Sequence, residues 1–413
     1  MIFASIVQVS YQFEPMQAHS PPTTPVPPPA ITPTLVATFA AGCGLAVGNI
    51  YYAQPLLDVL GREFHVGEAR AGTIVTLTQL GYAAGLLLLA PLGDLVENRR
   101  AVISVFSCTV LAALALVSVR SFPAFLAASF VLGLTSVVAQ MLVPFAAHLA
   151  PPERRGQIVG QVMSGLLTGI LLARAFAGII SGAFGWRTVY ISSAVLVAVM
   201  TVILRIRLPE RRPALAHRYG PLIASLAHVF RTQPVLRRRG TYQACMMAAF
   251  SMFWTSITFL LSGPHWRFSQ TQIGLFALAG ALGALSTSFA GRMADRGHGR
   301  RLTFITLLGA IAALSLTLLE TRLWALVAGA ILLDLSVNSN LAVGQQAIYS
   351  LSAEERSRIN TLFISMFMGG AAVGSATAGL AYASGGWPMV VAAGASFPAL
   401  AFLYFLTERL PSS

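Results

Sequence analysis

Two charged side chains lie where charge is costly. Asp334 and Arg174 each sit deep inside an apolar run, and they are the only full charges so placed in the 413-residue chain. A charge at mid-bilayer depth normally faces a cavity or a partner and marks function. Asp334 falls about ten residues into its run, near mid-depth at ~1.5 Å of rise per residue. Asn338 follows one helical turn later on the same face, and Gln345 continues the stripe. An intramembrane carboxylate can take up and release a proton as its surroundings change, so Asp334 is expected to couple proton flow to a change of shape. Arg174 is expected to serve that coupling, either as the counter-ion of Asp334 or as the holder of an anionic or polar substrate. A static buried pair is the structural alternative. No His/acid cluster with metal-ligand spacing and no Ser/His/Asp triad can be argued, so the expectation is no metal, no cofactor and no enzyme.

Other polar residues interrupt apolar runs and would be expensive against lipid. Asn49, Tyr52 and Gln54 do so near the end of the first run, and Gln140 does so in the fourth. They are candidate substrate-binding residues, although Tyr51 and Tyr52 could equally sit in an interfacial aromatic belt. Phe250, Phe253 and Trp254 cluster at helical spacing in the seventh run. Phe250 and Trp254 are candidates for packing an apolar or aromatic substrate, with plain core packing as the alternative.

A different chemistry lies between runs. The stretch Pro91–Arg100, PLGDLVENRR, carries Asp94 with Arg99 and Arg100; the stretch Gly291–Arg301, GRMADRGHGRR, carries Gly291, Asp295, Arg296, Arg300 and Arg301. Such carboxylates can accept bonds from exposed helix amides, and the arginines can pair with carboxylates or lipid phosphates. These residues are expected to latch the cytoplasmic side in one state and release it in another. Asp94 and Asp295 are 201 positions apart, as are Arg99 and Arg300, and as are Gly185-Trp186 and Gly386-Trp387. One shared offset implies two copies of one unit in the same order.

The elements that must position these groups follow from composition. The chain is 56% hydrophobic and 10% charged, with mean hydropathy +0.72, against roughly 25% charged in ordinary soluble domains. Runs of spanning length fall near 34–57, 71–92, 101–119, 124–148, 157–181 and 188–207, then near 240–262, 271–292, 302–319, 322–348, 358–382 and 388–407. The expected fold is an all-α membrane protein with twelve transmembrane helices in two parallel six-helix repeats. Expected boundaries are a disordered cytoplasmic tail at 1–30, an N-terminal bundle at 31–208, a cytoplasmic linker at 209–239 and a C-terminal bundle at 240–413. The tail is proline-rich and lacks signal-peptide features, and Met16 is a second candidate initiator. In the linker, Pro221–Arg231 is weakly amphipathic and is expected along the membrane face.

The net charge of +13 comes from 27 arginines and no lysine. With a cytoplasmic amino terminus, 20 of them fall at cytoplasmic loops or span ends; only Arg62, Arg70, Arg120, Arg187, Arg267 and Arg322 fall outside. That bias orients the chain with both termini cytoplasmic and argues against nucleic-acid binding. Without lysine there is no P-loop chemistry, so energy, if used, should come from an ion gradient or from a separate ATPase subunit. Cys43, Cys108 and Cys245 show no ligand spacing and read as core residues.

These residues resemble the major facilitator superfamily over about residues 30–410. The family's Gly-x-Leu-Ala-Asp-Arg-x-Gly-Arg-Arg motif is nearly intact in the second copy, at Gly291, Asp295, Arg296, Gly299, Arg300 and Arg301, with one extra residue before Gly299. In the first copy Ala90, Leu95 and Glu97 replace motif residues while Asp94, Arg99 and Arg100 remain. The run NIYYAQPLL at Asn49–Leu57, with the Arg174 span, is similar to bacterial drug, sugar or nucleoside efflux permeases. The Gly-Pro pair usual in the fifth span of drug/proton antiporters is replaced here by Ala173-Arg174. The resemblance implies an inner-membrane secondary transporter, monomeric, working with protons and a small-molecule substrate among membrane lipids. Its expected activity is alternating-access export by proton antiport; import of a metabolite by proton symport, or a non-transporting receptor, are the alternatives.

Overall fold

The computed structural model describes residues 31–210, 219–280, 290–352 and 355–408. The expected tail at 1–30 lies outside the described residues, as does the side chain of Asp94. Among the described residues the chain is helical throughout. The elements are α1 (Pro33–Gly48), α2 (Leu57–Glu63), α3 (Glu68–Leu92), α4 (Asn98–Ser118), α5 (Phe122–Leu149), α6 (Arg155–Phe184) and α7 (Trp186–Arg207). After the linker come α8 (Tyr219–Thr232), α9 (Pro234–Ser262), α10 (Gln270–Phe276), α11 (Gly299–Leu316), α12 (Leu323–Tyr349) and α13 (Arg356–Leu406). Large apolar side chains such as Leu111, Ile206 and Leu403 are exposed. On a soluble protein that would be a liability; here they face lipid.

The repeat is visible in backbone geometry. The turn between α6 and α7 passes through Gly185 at φ 83°, and α13, 51 residues long, breaks at Gly385 and Gly386, the latter at φ 62°. Positive φ is cheap for glycine alone, and each glycine is followed by a buried tryptophan, Trp186 or Trp387. The break divides α13 into two passes, 356–384 and 387–406, as Gly185 divides α6 from α7. The molecule is a twelve-pass, all-α membrane protein built as two parallel six-helix repeats.

Two departures from the expected spans have local causes. The first span is not one helix: α1 stops at Gly48, and turns at 49–53 lead through Gln54–Leu56 into α2. Pro55 has no amide hydrogen to continue the ladder and disfavours helical geometry before it. The extra residue in the second motif is absorbed by a wide turn over Ala294–His298, with Gly297 at φ 82°. Inserting one residue into a helical path produces such a π-type turn.

Helix approach is set by missing side chains. A Cβ at Gly165 or Gly169 would collide with backbone of Ala40 or Gly44 in α1. Gly178 and Gly182 instead meet α10 of the other half, through Gln270, Thr271 and Gly274. Gly160 meets nothing. Helix α8 buries Leu226 and Val229, and Tyr219 donates to the Leu88 carbonyl at 2.9 Å, tying the linker to the end of α3.

Most arginines gather at one face, where α3 passes to α4, α5 to α6, α7 to α9 and α12 to α13. At the opposite face Arg187 donates to Glu63 at 2.7 Å and holds its carboxyl below the usual range. A lowered folded-state pKa stabilises above the unfolded value and is lost as pH falls through the folded one. The pair is largely exposed, so Glu63→Gln should remove the acid-side loss while costing under about 1 kcal/mol at neutral pH, readable as melting temperature against pH.

Candidate functional site

Arg174 and Asp334 come from different halves and meet at one cavity. It measures about 190 Å3 and is walled by α6 from Met163 to Arg174, by α12 from Asp334 to Gln345 and by α13 from Ile364 to Met368. In each helix that stretch runs from mid-depth toward the arginine-rich face. The lining is mostly apolar, with Tyr51, Tyr82, Gln140, Asn338 and Gln345 as polar points besides the two charges. Convergent polar groups on an apolar wall are the usual make-up of a small-molecule site.

Both charges are 4% exposed, and no ion pair joins them. Trp254 touches each. Its indole N–H donates to Asp334 Oδ1 at 3.0 Å, and the Arg174 guanidinium lies 4.6 Å from its ring centroid. The rings of Tyr51, at 4.9 Å, and Phe250, at 5.2 Å, complete an aromatic enclosure around Arg174. Cation–π attraction is strongest in such desolvated settings. Arg174 Nε donates to Gln54 Oε1 at 2.6 Å, while Arg174 Nη2 and Gln54 Nε2 are buried without an acceptor. Gly280 leaves the room that Asp334 needs, since a Cβ there would run into its carboxylate.

Phe250, Gln140 and Asn338 therefore share the cavity with Arg174 and Asp334, and Trp254 joins the two charges. Gln140 Nε2 approaches the Tyr82 hydroxyl at 3.4 Å, and Asn338 Nδ2 donates to the Asp334 carbonyl at 2.8 Å. Asn49, Tyr52 and Gln54 are not on the cavity wall. Asn49 accepts from Ser193 at 2.6 Å and donates to the Leu45 carbonyl, Tyr52 packs on Phe176, and Gln54 supports Arg174. Tyr51 lines the cavity instead. The break after Gly48 ends the helical period there, so counting along a regular helix selects the wrong tyrosine.

Among the described side chains, the residues expected to form a latch make no ion pair or hydrogen bond between the halves. Arg99 donates to Glu210 at 3.3 Å and Arg100 to Glu97 at 2.8 Å; Arg300 lies over Phe405 at 5.4 Å. Asp295, Arg296 and Arg301 are exposed, and a Cβ at Gly291 would meet nothing. Among the described residues no ion pair crosses between halves at this face, the side toward which the cavity extends.

The opposite side is shut by contacts absent from the sequence-based candidates. Gln79 of α3 donates to Ser251 of α9 at 2.9 Å and accepts from Ser375 of α13 at 2.9 Å; Thr76 meets Ser375 at 3.0 Å. Thr258 donates to the Gln54 carbonyl at 3.0 Å. All five side chains, Thr76, Gln79, Ser251, Thr258 and Ser375, are buried. Gln79→Leu leaves the buried Ser251 hydroxyl without a partner, while Ser375 keeps Thr76 and the Ala372 carbonyl, costing about 1–3 kcal/mol in this closed state. The expected result is alkylation of a cysteine at Thr255 from that side at least about tenfold faster, read with a membrane-impermeant maleimide.

The Major Facilitator Superfamily model matches residues 34–266 and 239–413. The chain belongs to that superfamily. It is 41% identical over 370 residues to the transporter YgaY of Escherichia coli O157:H7, covering 89% of this chain and 93% of that one. It is 34% identical over 357 residues to the transporter SCO4007 of Streptomyces coelicolor, covering 84% and 81%. Among solved structures, the nucleoside transporter NupG superposes with TM-score 0.71 at 14% identity, covering 90% of this chain and 98% of NupG. A bacterial homologue of the human lysosomal transporter Spinster, inward-facing and unoccupied, gives 0.70 at 15% identity, covering 92% and 98%. These likenesses show the shared fold. The protein is a multi-pass membrane transporter of the major facilitator type.

Proposed function

We propose that this superfamily member is a proton-coupled secondary transporter of a small organic molecule, acting as a monomer in the inner membrane. The observation that carries the reading is Asp334, a carboxylate on a cavity wall between two halves, where taking up a proton changes the charge both halves experience. Positive-inside bias makes the arginine-rich face cytoplasmic, with both termini on it. The halves, 31–208 and 240–413, rock about the cavity while 209–239 links them and 1–30 forms a tail. The motif arginines and acids then latch the cytoplasmic side when it closes, while the Gln79 cluster opens on the other.

Export in exchange for protons is the first reading, as in the efflux permeases the sequence resembles. For antiport the substrate must displace the proton from Asp334. Import with protons is the second reading, favoured by the buried, unpartnered Arg174 Nη2, which would let an acidic substrate and a proton be held together. Flux of labelled nucleosides, sugars, amines and carboxylates in inverted vesicles under an imposed pH gradient tests both. Proton-driven flux into the vesicles supports export, proton-driven flux out of them supports import, and flux indifferent to the gradient sinks the proposal.

A further inference from the structure

We infer that the cavity takes organic anions, an apolar body ending in a carboxylate or similar acid, with Arg174 receiving the acidic group. This rests on the transport reading of the cavity and narrows its substrate class. The Arg174 guanidinium is held on several sides but has no directly bonded acidic partner. Gln54 accepts from Nε, and three ring centroids lie within 5.2 Å of the charge. Neither contact supplies a negative charge, and Asp334 acts on it only through space, without a direct ion pair. Nη2 remains a buried donor with no acceptor, on a residue that lines the cavity.

Orientation of the Gln54 amide is settled by chemistry. Arg174 Nε can only donate, so Gln54 must turn its oxygen toward it and leave Nε2 as a second donor without an acceptor. Gln54 stands behind the wall, so the unmet donor on the wall itself is Arg174 Nη2, and a cationic donor without an acceptor calls for an anion. A guanidinium with its Nε edge occupied still offers Nη hydrogens to a carboxylate. The rest of the wall is apolar and adaptable, with Met163, Met247 and Met368 beside Phe250 and Phe367. Methionine suits bodies of varied shape.

A bound carboxylate lies in the field of Asp334. The other titratable groups on the wall are Arg174, Tyr51 and Tyr82. Ionised Asp334 repels the anion and protonated Asp334 does not, so affinity falls as pH rises and anion and proton load together. That favours the second reading, import with protons, over export by antiport.

The test uses the purified full chain and three probes of one shape: 3-phenylpropanoate, its neutral amide, and 3-phenylpropylamine. Binding is read by quenching of tryptophan fluorescence. The carboxylate is expected to bind at least about tenfold tighter than the amide or amine, the margin of a charge-assisted hydrogen bond. Arg174→Gln should erase that preference, and Arg174→Lys, which keeps the charge, should retain part of it; both are checked for monodisperse elution and unchanged melting. In Asp334→Asn the carboxylate affinity should become flat with pH. The inference is overturned if no probe binds, if the amide or amine binds as tightly as the carboxylate, or if the preference survives in Arg174→Gln. Proton-driven flux of an amine with no carboxylate preference would sink this inference alone. Carboxylate binding without proton-driven flux would sink the coupling reading and leave this one standing.

Discussion

Gly178→Leu is expected to abolish transport while leaving each half folded. A Cβ at this position would lie 2.6 Å from the Gln270 carbonyl oxygen and from Gly274 Cα, both in the other half. Backbone cannot give way by the ångström this needs, so the two halves cannot close on this side. The clash is between halves and not within one, so the cost falls on one conformation. A population shift from 1:99 to 99:1 needs only ~5.5 kcal/mol, and an overlap with packed backbone exceeds the 1–3 kcal/mol usual for added volume in a core that can relax. The variant should elute as wild type, show rapid maleimide labelling of a cysteine at Thr255 from the side opposite the arginine-rich face, and transport nothing. Gly274→Leu should reproduce it, since its Cβ would lie 2.8 Å from Gly178 Cα. Normal transport by both variants would show that these helices never need to touch.

Asp334→Asn is the second large effect. The amide is nearly isosteric and can still accept from the Trp254 indole, so the wall is preserved. It cannot exchange a proton. Uphill accumulation should fall to nothing, whereas the proposed coupling of one proton would let wild type sustain about tenfold accumulation per pH unit. Downhill exchange of substrate across the same membrane should persist. A variant that still accumulates would move the proton site elsewhere; loss of both activities, with normal elution and melting, would make Asp334 part of substrate binding instead.

Full charges in apolar runs were legible from sequence because their cost leaves so few explanations. Asp334 and Arg174 stood out, and the structure puts them on one cavity with Phe250, Gln140 and Asn338. The repeat was legible too, because Gly185-Trp186 and Gly386-Trp387 mark the same positive-φ turn. Asn49 and Tyr52 misled because the helix breaks between Gly48 and Gln54, and no period carries across a break. The Gln79, Ser251, Ser375 and Thr76 cluster was hidden for another reason. Serine and threonine in membrane helices commonly bond their own helix, as Thr78 and Ser129 do, so nothing marks the few that reach across. Signal was available in Gln79, a side-chain amide in an apolar run like Gln140. The pairing of Arg99 with Glu210 of the linker and of Arg100 with Glu97 could not be read either, because spacing does not tell which acid a loop arginine meets.

Proton movement driven by substrate tests the coupling at Asp334 most directly. Proteoliposomes holding the purified wild-type chain and a trapped pH dye would receive an inward gradient of transported substrate, with no pH difference and the membrane potential clamped. The expected result is a change of internal pH that saturates with substrate, is absent in Asp334→Asn and is intact in Glu63→Gln. Acidification would mark symport and alkalinisation antiport. Substrate entering with no pH change, or with the same change in Asp334→Asn, would contradict it.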